Sequence, residues 1–203
     1  MGKKFCRKFV CCLLMMTMMS TVFASSSFAS DYAFNSYRMQ KNTQIKYYVH
    51  RDYGATTMAD MNEALYQWHA ALGWNPMYRD PNVRHTLIGF PSEDGTSRVY
   101  RKETGLTGSI ADNQIYTDHF GYFAVESDVN LNMSYSWCNG AQAGRYDAWS
   151  IFLHETGHTL GLANVDDNSA LVMSGVAQLY RTNTIAYRYL KEGDKKGLEI
   201  LYG

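Results

Sequence analysis

Residues 151–176 read IFLHETGHTLGLANVDDNSALVMSGV. His154 and His158 are four apart, so on a helix both imidazoles leave one face and can hold a single Zn2+. Glu155, between them in sequence, can take a proton from water activated at the metal and return it to a leaving amine. The pattern predicts a helix from about Asp147 to Leu160. Ala148, Ile151, Phe152, Glu155 and Thr159 share one side of it, while Trp149, Leu153 and Leu160 pack elsewhere. An H-E-x-x-H inside such a helical pattern points to metal-assisted hydrolysis.

Two histidines do not complete a catalytic zinc site, which commonly has three protein ligands and a water. Gly161 can adopt a backbone conformation closed to other residues and turn the chain. A residue about ten beyond His154 then swings back toward the metal, and that residue is Asn164. Its amide oxygen is neutral and a weaker donor than imidazole or carboxylate. Asp166 follows closely and supplies the missing charge, so Asn164 and Asp166 compete for the third position, with Asp167 behind them. A ligand from a later helix, Glu192 or Glu199, is a further arrangement. Gly161 and the turn around Met173 count against it.

Upstream, Ile45–His50 is aromatic and β-branched, as a strand requires. Thr56 or Thr57 can cap a helix running to Leu72, with Met58, Met61, Leu65, Trp68 and Leu72 as its apolar stripe. Gly73 and the Asn75-Pro76 pair end it. Residues 84–91, 97–102 and 113–119 are candidate strands, and Glu93-Asp94-Gly95 is a turn. Across 128–137, Val129, Leu131 and Met133 alternate with Asp128, Asn130 and Asn132, the pattern of a strand with one apolar face. A last helix begins near Gly193 or Asp194 and gives Leu198 and Leu201 to the core. No repeat or linker divides the chain, so one domain is expected.

At the other end, residues 1–29 have a basic start (Lys3, Lys4, Arg7, Lys8), an apolar run from Phe9 to about Met19, and then small residues. This is the pattern of a secretory signal peptide, cleaved after Ala29 or Ala24. The run is shorter than the ~20 residues that span a bilayer. Without it, 174 residues carry 15 basic and 19 acidic side chains, a net charge of −4. Such a balance argues against nucleic-acid binding by phosphate neutralisation. Cys6, Cys11 and Cys12 belong to the leader, so Cys138 has no partner within the mature chain, and the protein is expected to be secreted without a disulfide framework. Residues 30–44 are polar and aperiodic, an N-terminal arm, and 45–203 form the domain itself. No stable membrane insertion is expected after cleavage.

The run from His154 through Gly161 to Asn164, followed by Val172-Met173-Ser174-Gly175, resembles the signature and methionine turn of metzincin zinc peptidases. The closer resemblance is to matrixins, the matrix-metalloprotease-type catalytic domains and their bacterial relatives. Glu126–Asn132 is similar to the strand before their active-site helix, and the close in Leu201-Tyr202-Gly203 is similar to theirs. The resemblance implies an α+β zincin fold: a twisted mixed β-sheet, an active-site helix and a small C-terminal subdomain ending in a helix. It implies a secreted zinc endopeptidase acting on extended protein or peptide substrates laid antiparallel to an edge strand. His154 and His158 then ligate one catalytic Zn2+, Glu155 is general base and acid, Gly161 is the turn, and Met173 is an apolar floor beneath the metal.

The departures from that family are informative. Its third ligand is normally histidine or aspartate, where this chain has Asn164. Structural Ca2+ is possible in the family but has no visible motif here; His119 and Asp118 are only two residues, and His50, His69 and His85 read as surface or packing histidines. Cys138 lies between sheet and helix, where it cannot serve as the cysteine switch of a leading domain. Tyr180 is a candidate oxyanion donor or wall residue, and Val176, Leu179 and Tyr187 suggest an apolar wall. The competing reading is a secreted, catalytically weak or inactive binding protein that kept the fold while its site drifted.

Overall fold

The computed structural model describes residues 31–87, 91–175 and 182–203. The signal-peptide segment, Val176, Leu179, Tyr180 and the end of the expected 84–91 strand lie outside the described residues. In chain order the elements are β1 (Ile45–His50), α1 (Ala55–Leu72), β2 (Met77–His85), β3 (Arg98–Lys102), β4 (Ala111–Thr117), β5 (Ala124–Asn132), the short β6 (Trp137–Cys138) and β7 (Tyr146–Asp147), α2 (Ala148–Thr159) and α3 (Glu192–Tyr202). β1, β2, β3 and β5 run parallel in a five-stranded sheet of order β2-β1-β3-β5-β4, and only β4, at one edge, is antiparallel. This is the mixed sheet and helix arrangement that the resemblance implies. No described helix is long and apolar enough to cross a membrane.

α1 buries Met58, Met61, Leu65 and Trp68 of the expected stripe, leaves Leu72 half-buried, and ends at Gly73 with φ +73°. Its start differs from expectation. Gly54 rather than Thr56 or Thr57 is the cap, and no side chain caps the helix. The Met58 N–H instead bonds the Gly54 carbonyl, so the helix gains its first turn without a hydroxyl. α1 and α2 share the sheet's inner face, where Tyr47, Met61, Trp68, Val129, Ile151, Phe152 and Leu153 form one core.

One strand expectation needs correction. The strand expected at 84–91 lies earlier, at Met77–His85, and pairs with β1. Polar residues and Pro81 hide it in the sequence, yet proline is tolerated on an edge strand, and β2 is an edge. The strand before the active-site helix lies where the alternation places it, and its polar face is buried as well: Glu126 through Asn132 are all buried. Their polar groups hold loops. Glu126 accepts from the Asp94 and Gly95 N–H groups, and Asp128 Oδ1 accepts from Arg98 N at 2.8 Å. Asn132 accepts from Thr104 N and donates to the carbonyls of Gly105 and Ser109. Hydrogen-bonded polar groups of this kind can be buried at little cost.

His50 is a packing residue, 5% exposed, with its ring edge-on to His85 at 5.2 Å. Asp118 accepts from Tyr122 N and Phe123 N, which makes it a turn former between β4 and β5. Cys138 is a free thiol and donates to the Gly140 carbonyl. The N-terminal arm lies on the C-terminal part: Phe34 bridges Leu162, Asn35 N bonds Gly161 O at 2.8 Å, and Ala163 N bonds Ala33 O at 2.9 Å.

Candidate metal centre

α2 begins where the sequence expects. Asp147 is its N-cap, and its carboxylate accepts from Ser150 N at 3.1 Å and Ser150 Oγ at 2.7 Å. The same carboxylate takes Gly140 N and a two-pronged contact from Arg188, whose guanidinium also lies 4.6 Å from the Trp149 ring. Burial by itself raises the Asp147 pKa, but the Arg188, Ser150 and Gly140 hydrogen bonds outweigh it and hold the carboxyl below its ordinary value. The chain leading into α3 is thereby fastened to the start of the active-site helix.

One turn further along, the two histidines meet. Their ring centroids are 4.9 Å apart and the rings are perpendicular. Each ring is oriented by a backbone carbonyl: His154 Nδ1 lies 2.8 Å from Val172 O, and His158 Nδ1 lies 2.9 Å from Leu162 O. A carbonyl only accepts, so both Nδ1 atoms carry the proton and both lone pairs fall on Nε2. This is the tautomer a metal-ligating histidine needs, fixed by the outer partner that such histidines usually have. Burial holds the His158 imidazole below its ordinary pKa, with the Leu162 hydrogen bond working against it. A pre-oriented imidazole pair of this kind is a donor set that suits Zn2+.

Glu155 is 3% exposed and follows His154 on the same helix. Beneath the pair, Met173 is 2% exposed, and Gly157 makes room for it: a Cβ there would meet Met173 Sδ at 2.3 Å and Trp68 at 3.0 Å. Trp68 Nε1 donates to Thr156 Oγ1 at 2.9 Å, which donates in turn to Phe152 O. The small residue inside the motif is therefore a packing requirement of the methionine turn.

The helix stops in a Schellman arrangement. Gly161 N bonds His158 O at 2.9 Å and Leu162 N bonds Gly157 O at 3.2 Å, with Gly161 at φ +96°. A side chain at Gly161 is barred twice, because its Cβ would lie 2.5 Å from Tyr37 O. The turn sends Asn164 and Asp166 to the same place, against Gly175. A Cβ on Gly175 would lie 2.7 Å from Asp166 Oδ1 and 3.1 Å from Asn164 Cγ. Both are exposed. Among the described residues no three His, Cys, Asp or Glu side chains gather as a metal cage.

Three contributors escape the sequence reading. Asp194 accepts from Val172 N and Met173 N at 3.1 Å each, and from Lys191 N at 2.8 Å. Arg188 fastens Asp147, and Asn113, on β4, donates to the Glu155 carbonyl at 2.6 Å. Asp194 has a sequence signal, an acid in the first turn of a helix; the other two have none. Tyr202 OH donates to Leu160 O at 2.7 Å, which ties the closing Leu-Tyr-Gly to the end of α2.

The chain matches the sequence model of the peptidase family described as matrixin over residues 36–203. Among solved structures it is similar to high choriolytic enzyme 1, a hatching enzyme zinc-protease of the medaka fish Oryzias latipes. The identity is 14%, the TM-score is 0.44, and the match covers 82% of this chain and 93% of that one. None of the curated proteins compared matches the chain.

Proposed function

Since the chain belongs to the matrixin family of zinc metallopeptidases, we propose that it is a secreted endopeptidase that cuts within extended polypeptides, with Glu155 as general base and acid. The observation that carries this reading is the pair of Nδ1 contacts, to Val172 O and Leu162 O, which turns both imidazoles into Nε2 ligands. His154 and His158 would hold the ion. Asn164 and Asp166, which the turn at Gly161 brings together against Gly175, are the two candidates for the third ligand.

Zn2+ bound there supplies Lewis acidity, which acidifies water and polarises the scissile carbonyl. Glu155 takes the proton of the attacking water and passes it to the departing amine. Its near-complete burial keeps bulk water from competing for that proton. Met173 and Trp68 give the histidine-bearing helix a rigid apolar floor. Among the described residues β4 has a neighbour, β5, on one side only, and its other edge is where an extended substrate would add as a strand. The leader pattern in residues 1–29 supports export.

One observation favours a second reading. A neutral amide at Asn164 is a weak zinc donor, as a binding protein derived from a peptidase would show. The two separate in a digest of an intact unfolded protein such as casein by the zinc-loaded chain, with fragments identified by mass spectrometry. Internal cuts abolished by a chelator and restored by Zn2+ are expected; intact casein, or trimming from the ends alone, would contradict the endopeptidase reading.

A further inference from the structure

Asn113 lies in β4, yet its side chain serves α2. Nδ2 donates to the Glu155 carbonyl at 2.6 Å and to Thr159 Oγ1 at 3.0 Å, while Oδ1 accepts from Ser127 Oγ at 2.9 Å. The Glu155 carbonyl only accepts, so it fixes the amide with its NH2 toward the helix and leaves Oδ1 to accept from the Ser127 hydroxyl. Ser127 is itself held within 2.7 Å of Tyr47 OH and 2.9 Å of Thr159 Oγ1. Tyr47 is fully buried, and burial pushes its phenol far up, so it stays a neutral donor. One amide thus joins the edge strand, its neighbour β5 and the active-site helix.

The recipient is telling. A carbonyl in a helix interior already serves the N–H four residues on, and the second lone pair of the Glu155 carbonyl takes Asn113. We infer that Asn113 is a positioning residue for peptide hydrolysis, fixing Glu155 relative to the strand along which substrate lies. The inference rests on the peptidase reading above. A shift of this strand against the helix displaces the scissile bond from the Glu155 carboxylate. Misplacement by about 1 Å can cost on the order of a hundredfold in rate. Binding along the strand needs only backbone edges and is left largely intact.

The test uses zinc-loaded full-length protein and an internally quenched peptide. Asn113→Asp keeps the acceptor for Ser127 and removes the donor to Glu155; Asn113→Leu removes both; Asn113→Gln returns an amide on a longer arm. The first two are expected to lower kcat by at least about tenfold with KM within about twofold and zinc content unchanged, and Gln to recover part of the loss. Amide hydrogen exchange across 155–159 is expected to quicken in both. A kcat per zinc-loaded molecule within about twofold of wild type in both variants overturns the inference, as does a loss in a folded variant explained wholly by lost zinc. If a variant fails to fold, Ser127→Ala takes its place, with kcat expected to fall about threefold at constant KM; an unchanged kcat overturns the inference. A wild-type chain that cleaves nothing counts against the peptidase reading instead, and the exchange data then decide the clamp, unchanged rates overturning it.

Discussion

His154 Nδ1 lies 2.8 Å from the carbonyl oxygen of Val172, the residue before Met173. The tautomer of His154 with its lone pair on Nε2 is thus set from the methionine turn, and that turn is set in its own right. Asp194, in the first turn of α3, accepts the N–H groups of both Val172 and Met173. A line of hydrogen bonds runs from the closing helix through the turn to the first histidine.

Asp194→Ala breaks that line. It strands the amides of Val172, Met173 and Lys191, each worth about 1–3 kcal/mol when buried and unsatisfied. A loss of about 3 kcal/mol or more is expected in denaturant unfolding. Asp194 acts on His154 only through Val172, so zinc affinity should fall by less than the roughly 10- to 100-fold that follows loss of a histidine's own outer partner. Unchanged zinc affinity in a folded variant would show that the turn does not govern His154.

Gly157→Ala places a methyl group where Met173 Sδ and Trp68 already sit. Overpacking of this kind costs about 1–3 kcal/mol, so thermal unfolding should fall by roughly 3–10 °C. Gly157→Ala combined with Met173→Ala should fall by less than the sum of the two single changes, since the second removes the clash. Additive losses would mean that the two residues do not compete for space.

The histidine pair was legible because its spacing alone brings His154 and His158 together, and Gly161 announced the turn. The hydrophobic stripe of α1 was legible for the same reason: a period of 3.6 needs no knowledge of distant chain. What stayed hidden depends on contacts between remote segments. β2 carries Pro81 and few apolar residues, so only its pairing with β1 reveals it. The burial of Asp128, Asn130 and Asn132 stayed hidden too, because it depends on partners up to 30 residues away. Asn113 and Arg188 act across 42 and 41 residues, and a polar residue gives no local sign of so distant a partner.

Burial, with the nearby Glu126 charge adding to it, pushes the Asp128 carboxyl from 3.8 to about 6, against the hydrogen bond from Arg98 N. The folded chain therefore holds this proton more tightly than the unfolded chain. Its contribution to stability is full below the unfolded pKa and is lost as pH rises through about 6. Asp128→Asn retains the Oδ1 acceptor and cannot ionise. It should stabilise the protein at pH 7.5, by at most about 3 kcal/mol, and the gain should vanish near pH 4. A gain of equal size at both pH values would place its origin elsewhere.

Asn164→His replaces a neutral amide by a stronger zinc donor at the turn beyond Gly161. Zinc affinity, read by competition with a chelating dye, is expected to rise on the order of tenfold or more. Asn164→Ala should weaken it and Asp166→Asn should leave it unchanged. The reverse pattern, with Asp166→Asn weakening and Asn164→Ala silent, would assign the third ligand to Asp166.

The central claim is that Glu155 moves the proton in a zinc-dependent hydrolysis. It is tested most directly by cleavage of a quenched peptide by wild type and Glu155→Gln at matched zinc content. One zinc per chain is expected in both, with kcat in the variant lower by about 10²–10⁴. Wild-type cleavage that Glu155→Gln leaves intact, or a wild-type chain that binds zinc and cuts nothing, would contradict it.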